Sequence, residues 1–275
     1  MFEIIGPIAA VSFGLLFLTM SVLWWINTKI NNAAIVDVGW GNGFALVTVI
    51  ACLMADGYAV RQWLIGGMVV FWGVRLATHL FIDRVWGDKP EDGRYQDIRA
   101  RWKTGINLKF FFFFQAQAVL IVLLSLPFML SASNPDPQIA VLEWVGVGIW
   151  AIGLTGEALA DYQLRRFKNE GANKGTTCRT GLWHYSRHPN YFFEWVIWVG
   201  YYVFALASPF GWLSIISPIG MLYILLRVTG IPLTEAQAVR TRGENYRNYQ
   251  QTTSMFIPWF RKQLKQNTPG VSESP

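Results

Sequence analysis

Seven stretches of this chain are each close to the roughly 20 apolar residues that a helix needs to cross a 30 Å hydrocarbon core, and each carries at most two charges. They fall at about 7–28, 35–55, 62–82, 109–132, 139–160, 190–208 and 211–229, with ends uncertain by a few residues. The expected fold is all-α: a polytopic integral membrane protein of seven transmembrane helices, one membrane domain over 1–260, then a polar, disordered tail over 261–275. The composition agrees, because 53% of the residues are hydrophobic and 15% charged, where soluble domains average about 25% charged. The first stretch follows MFEII rather than a basic leader and is too long for a signal core, so it reads as a retained helix.

Positive charge sets the expected orientation. Of the 23 Lys and Arg residues, 21 fall in or at the edge of the connections after the first, third and fifth stretches and at the C-terminal end, which places them on one side of a seven-span chain. Arg61 lies in an opposite connection and Arg75 inside the third span. The basic side is expected to be cytoplasmic, with the N-terminus outside and the C-terminus inside, as in a multi-pass protein of the bacterial inner membrane. The net charge of +6 then needs no nucleic-acid partner, since basic loops facing anionic lipid account for it. Two cysteines cannot make a disulfide scaffold, and the three histidines lack metal-ligand spacing, so no metal is expected.

An ionisable side chain at membrane depth costs about 2.5–3.5 kcal/mol on the insertion scale, so each one needs a partner or a task. Asp37, Arg75 and His79 lie in spans two and three, Glu157 and Asp161 close span five, Glu194 opens span six and Arg227 ends span seven. Nearly all are expected in the cytoplasmic half, around a polar cavity. Glu157, Asp161, Arg165 and Lys168 are spaced to share one helix face, as a polar site or as a solvated helix end.

The segment GLWHYSRHPNYFFE, residues 181–194, is the most specific in the chain. Pro189 suits the first turn of a helix, so span six is expected to begin there, directly after Ser186, Arg187 and His188. A helix start facing basic loops is suited to an anion. Asn190 and Glu194, one turn apart, could grip a polar ligand edge. The bland reading is a capped helix with interfacial aromatics from Trp183, Tyr185 and Tyr191.

RHPNYFFEW, with DYQLRRFK before it and YRNYQQTTSMFIPWF after it, resembles the C-terminal catalytic region of membrane steroid 5-alpha-reductases. VDVGWG, WGVRLATHLFIDRVWG and EDGRYQDIR are similar to the bacterial branch of that superfamily, and the matching words cover most of 35–260. The resemblance implies NADPH bound on the cytosolic side, mainly by 139–260, and reduction of the carbon-carbon double bond of a 3-keto-4-ene steroid or similar hydrophobic enone. It places Asp161, Arg165, Asn190, Glu194 and Arg227 at the cofactor, with Tyr185, Arg187, His188, Tyr246 and Tyr249 as further contacts. Where mammalian members carry a His-rich run after the arginine matching Arg227, this chain reads VTGIPLTE. An Arg-His-Pro element also opens the cofactor region of isoprenylcysteine carboxyl methyltransferases, so an S-adenosylmethionine-dependent membrane lipid methyltransferase is the alternative.

Hydride addition to an enone puts negative charge on the carbonyl oxygen, which calls for hydrogen-bond donors aimed at that atom. Asp37, taken by position, would stay protonated if desolvated in span two, and Tyr95 is the second donor provided its loop folds back. Asp37 could equally serve as a structural hydrogen-bonding group, with Gly39, Gly41 and Gly43 allowing helices to approach closely. Trp40 is a candidate wall for a flat substrate. His79, one turn from Arg75, is expected either to pair with Asp37 or to polarise the substrate. The partners expected are a steroid-like small molecule and membrane lipid.

Overall fold

The computed structural model describes residues 2–87, 89–173 and 175–262. Helix dominates at 78%, with no strand among the described residues. Among the described residues, eleven α-helices follow in order: α1 Phe2–Ile30, α2 Ile35–Met54, α3 Ala59–Arg84, α4 Gly93–Arg101, α5 Ile106–Leu124, α6 Leu126–Ala132, α7 Val141–Asn169, α8 Pro189–Ala205, α9 Ile216–Tyr223, α10 Ile231–Arg242 and α11 Glu244–Thr252. Six helical segments among the described residues are long and apolar enough to cross a membrane: Glu3–Ile30, Ile35–Met54, Ala59–Arg84, Ile106–Leu124, Val141–Asn169 and Gly211–Arg242. The protein is thus all-helical and membrane-embedded. The expected tail over 263–275 lies outside the described residues, whereas Lys262 still donates its backbone N–H to Thr252 O at 2.8 Å.

The chain forms two compact units, one of residues 1–154 and 194–234, the other of 155–193 and 235–275. In the first, α2 and α3 cross on glycine. A Cβ on Gly41 would stand 2.6 Å from Gly73 O, and one on Gly73 would stand 2.5 Å from Gly41 O, so neither position tolerates a side chain. Gly39 and Gly43 face the side chains of Leu23 and Ile121 just as closely. The glycines of VDVGWG therefore serve helix packing, as expected. Gly146 and Gly200 do the same for α7 against α8, with Phe204 N and Trp150 N within 2.7 Å of the missing Cβ atoms.

An aromatic core fills the space beside these crossings. Phe44, Trp72, Phe128, Trp198 and Tyr201 are fully buried. Their rings meet edge to face, Phe44 to Trp198 at 4.9 Å and Phe128 to Tyr201 at 4.8 Å, the geometry that the ring quadrupole favours. Outward-facing Leu18, Val22, Leu53, Trp63 and Phe71 are exposed, as lipid-facing side chains must be when the solvent is itself apolar.

Two expectations need correction. The stretch expected as one span over 109–132 is broken at Ser125, because Pro127 in the first turn of α6 has no N–H to continue the ladder of α5. Arg61, expected in a loop, sits in the first turn of α3 at 1% exposure. It is held by Glu143 and by the carbonyls of Asn134 (3.0 Å), Asp136 (2.7 Å) and Gln138 (2.6 Å).

Candidate functional site

In the first unit the charged word EDGRYQDIR folds back onto the start of α2. Asp92 caps α4 by accepting the Arg94 backbone N–H at 3.0 Å. Glu91 pins the same turn to the α1–α2 corner, accepting from Ala33 N at 2.8 Å and from Arg99 at 2.9 and 3.1 Å. With the segment folded back in this way, the Tyr95 hydroxyl donates to Asp37 Oδ1 at 2.6 Å. Arg94 Nη2 donates to Asp37 Oδ2 at 3.1 Å, and Arg84 Nη1 reaches the same oxygen.

Asp37 and Tyr95, the two residues assigned to chemistry, are therefore in contact. The groups facing Asp37 are two guanidiniums and a phenol, and all three donate to it. Asp37 is the acceptor in each of these contacts. Its cationic partners lie 47 and 57 residues away in sequence, which the pattern within span two could not show.

Burial pushes the Tyr95 phenol well above its usual range, and the Asp37 charge adds to that, against the pull of Arg94 and Arg84. The phenol keeps its proton at any working pH. Asp92 is opposite in sign: burial alone would raise it, but Arg94 and Arg84 beside it win and bring it to about 2. The cluster thus holds two guanidiniums against two carboxylates, a balanced set at the edge of a membrane-spanning helix.

Apolar rings border the cluster. Phe113 lies edge-on to Tyr95 at 6.1 Å, and Trp40, one turn along α2 from Asp37, packs edge-on against Phe44 at 4.9 Å. His79 and Arg75 are half-buried on α3, and the partners of Asp37 are Arg84, Arg94 and Tyr95 rather than these two. Glu194 is buried in α8, and Arg227 is exposed in a π-helical turn, Ile224–Val228. Such turns recur at functional positions.

The second unit is organised by Glu235, a residue to which sequence reasoning gave no role in the site. Its Oε1 accepts from Arg187 Nε at 2.6 Å, faces His188 Nε2 at 3.3 Å and accepts the Tyr246 hydroxyl at 3.4 Å, and its Oε2 accepts from Gln250 at 2.9 Å. Arg187 Nη1 also binds the carbonyls of Gln250 (2.9 Å) and Thr253 (2.7 Å). Tyr249 donates to the carbonyl of Trp183 and to that of Ser186 at 3.0 Å. Arg187, His188, Tyr246 and Tyr249 are thus brought together as expected, but their polar atoms are spent on holding the Ser186–His188 turn to α10 and α11.

Pro189 does begin α8, as the motif required. Just past it, the half-buried Asn190 donates to Asp161 Oδ1 at 3.3 Å, which joins two more of the expected residues. Arg165 and Tyr185 are exposed on the same unit, Tyr185 beside Phe260 at 6.4 Å between ring centres. Burial lowers the basicity of His188, with Glu235 opposing and Arg187 assisting.

The protein is membrane-embedded and helical, with polar side chains gathered around Asp37 in the first unit and around Glu235 in the second. By sequence it belongs to the family described as Protein of unknown function (DUF1295), whose model matches residues 23–253. A relative in Schizosaccharomyces pombe, "Uncharacterized protein C594.04c", is 24% identical over 269 residues, covering 88% of this chain and 77% of its own length. No solved structure matches.

Proposed function

We propose that the protein is an NADPH-dependent membrane reductase acting on the carbon-carbon double bond of a 3-keto-4-ene steroid or a similar hydrophobic enone, like the steroid 5-alpha-reductases its motifs resemble. The observation that carries the reading is the contact of Tyr95 with Asp37 at 2.6 Å, a protonated phenol held in place beside apolar rings at the end of a membrane span. A lipid-soluble enone needs such a donor, because charge develops on its oxygen where water cannot solvate it. Tyr95 is the one group of the cluster with a transferable proton. Asp37, its charge held by Arg84 and Arg94, orients that phenol. When substrate arrives, the hydroxyl turns to the carbonyl oxygen or delivers its proton to the alpha carbon.

NADPH would supply the hydride. Its phosphates suit the donor chemistry of the second unit, where 171–193 contains no acidic residue and Asn190 and Arg165 stand beside Asp161. The resemblance also assigns Glu194 and Arg227 to the cofactor. Arg187, His188, Tyr246 and Tyr249 act by shaping the turn before α8, while Tyr185 is free to meet the cofactor. In this reading α8, at 17 residues, is a seventh crossing, with the N-terminus outside and the C-terminus and cofactor side in the cytoplasm.

The test is turnover by purified protein in lipid nanodiscs, followed as NADPH oxidation together with loss of the enone chromophore. Retention of reduced nicotinamide after desalting supports the reading. Retention of S-adenosylmethionine instead, with no enone consumed, replaces it with the methyltransferase.

A further inference from the structure

The second unit carries two arginines that none of these roles uses. Arg179 and Arg242 are both half-buried, and each guanidinium lies on a tyrosine ring, Arg179 at 5.6 Å from the centre of Tyr249 and Arg242 at 6.0 Å from that of Tyr246. The two rings pack on each other at 5.8 Å, so the guanidiniums are mounted on one aromatic pair. Arg179 is further fixed by Asn245, whose backbone and side-chain oxygens it reaches, the latter at 3.3 Å.

Neither arginine has a carboxylate partner among the described residues. The segments that carry them explain why: 171–193 has no acidic residue, and 231–262 has two, Glu235 and Glu244. Glu235 is occupied by Arg187 and His188, and Glu244 by Arg247. Two cations therefore share one support with their charge uncompensated. Stacking a guanidinium on a ring fixes its plane and leaves its edge N–H groups free to fork onto an anion. A structural role would more naturally pair these charges within the protein.

We propose that Arg179 and Arg242 form a binding site for a terminal, dianionic phosphate group. Two sources present that chemistry to a membrane protein: the 2′-phosphate that distinguishes NADPH from NADH, and the headgroup of phosphatidic acid. The dinucleotide source rests on the reductase reading above; the lipid source does not.

The full chain in phosphatidylcholine nanodiscs is titrated calorimetrically with NADPH and with NADH, and retention of phosphatidic acid over phosphatidylcholine is measured by native mass spectrometry. R179Q/R242Q is compared with the wild type. R242Q alone serves as the second variant, because Arg179 also ties the start of α11 and its loss could loosen the fold. For the cofactor source, the wild type prefers NADPH, and the variants lose about tenfold or more of that affinity while NADH binding is unchanged, the scale of a lost charge-assisted contact. If no dinucleotide binds but phosphatidic acid is retained by the wild type and released by the variants, the phosphate site stands and the reductase reading falls. Wild-type affinity for both ligands in R242Q and in the double variant would overturn the proposal, as would a wild type that prefers neither.

Discussion

Arg61 of α3 and Glu143 of α7 form an ion pair at 1% and 0% exposure, the most deeply buried charges of the first unit. Three loop carbonyls complete the guanidinium's shell, and Glu143 Oε2 also accepts the Ala140 backbone N–H at 2.7 Å. Removing one partner strands the other's charge in a place water cannot reach, while removing both strands no charge and leaves only neutral backbone groups unpaired. R61M and E143L should each lower stability by about 3–5 kcal/mol, and the double variant by less than their sum. A double-mutant cycle on unfolding in detergent measures this; additive losses would deny the coupling.

The Tyr95–Asp37 contact should separate chemistry from folding. Y95F removes a donor but leaves the packing against Phe113, so stability should fall by about 1 kcal/mol. Under the proposed function its enone turnover should fall by about a hundredfold or more, the usual cost of a lost donor at a developing oxyanion. D37L, which takes one of two carboxylates from Arg84 and Arg94, should cost more in stability and also abolish turnover. Wild-type turnover in either variant would remove that residue from the mechanism.

Acid should unsettle the same cluster in a defined window. The folded Asp92 carboxyl, at about 2, lies below its ordinary value of 3.8, so between these values the unfolded chain binds the proton more readily. Its contribution is fully present above pH 4 and is lost as the pH falls toward 2, at about 2 kcal/mol in total. In D92N the fall in unfolding free energy across that window should be shallower, and an unchanged slope would exclude Asp92 as its source.

Glu235 should prove to be the fastener of the second unit. E235A leaves Arg187 and His188 without their carboxylate and should cost about 3–5 kcal/mol. The loss should be local: amides of 183–192 should lose protection in hydrogen exchange while those of α2 and α3 keep theirs. His188 adds a second pH effect, since burial keeps it neutral in the fold. Stability is present above its unfolded value near 6.5 and declines as the pH falls below it.

Where α2 meets α3, G41A should destabilise by about 1–3 kcal/mol, because its Cβ meets a backbone oxygen that cannot step aside. G67A, on the same α3 with open space at its Cβ, is the control and should be neutral or slightly stabilising. Equal melting temperatures for the two variants would contradict the close crossing.

Helix placement was legible in the chain because membrane spans are a matter of length and apolar content, both one-dimensional. Pro189 marked the start of α8, and the glycines of VDVGWG marked a close crossing, since each acts through its own backbone. The break at Ser125 was legible too, in Pro127, but the apolar run around it masked the signal. Arg61 was misplaced because a lone arginine between spans looks like a loop residue until Glu143, 82 positions away, is folded beside it.

The sequence by itself determined that the chain would be helical and membrane-embedded, since burial of apolar length follows from composition and order alone. It also marked Asp37 and Asp161 as charges in need of a partner or a task, Tyr95 as a candidate donor and Asn190 as a candidate ligand contact. Only the tertiary structure decided who those partners are. Arg84 and Arg94 on Asp37, and Glu235 beneath Arg187 and His188, are meetings of residues 47 to 57 positions apart. Whether a charge is an acceptor, a donor or a fastener depends on the groups within about 3 Å of it, and no local pattern along a chain contains that distance.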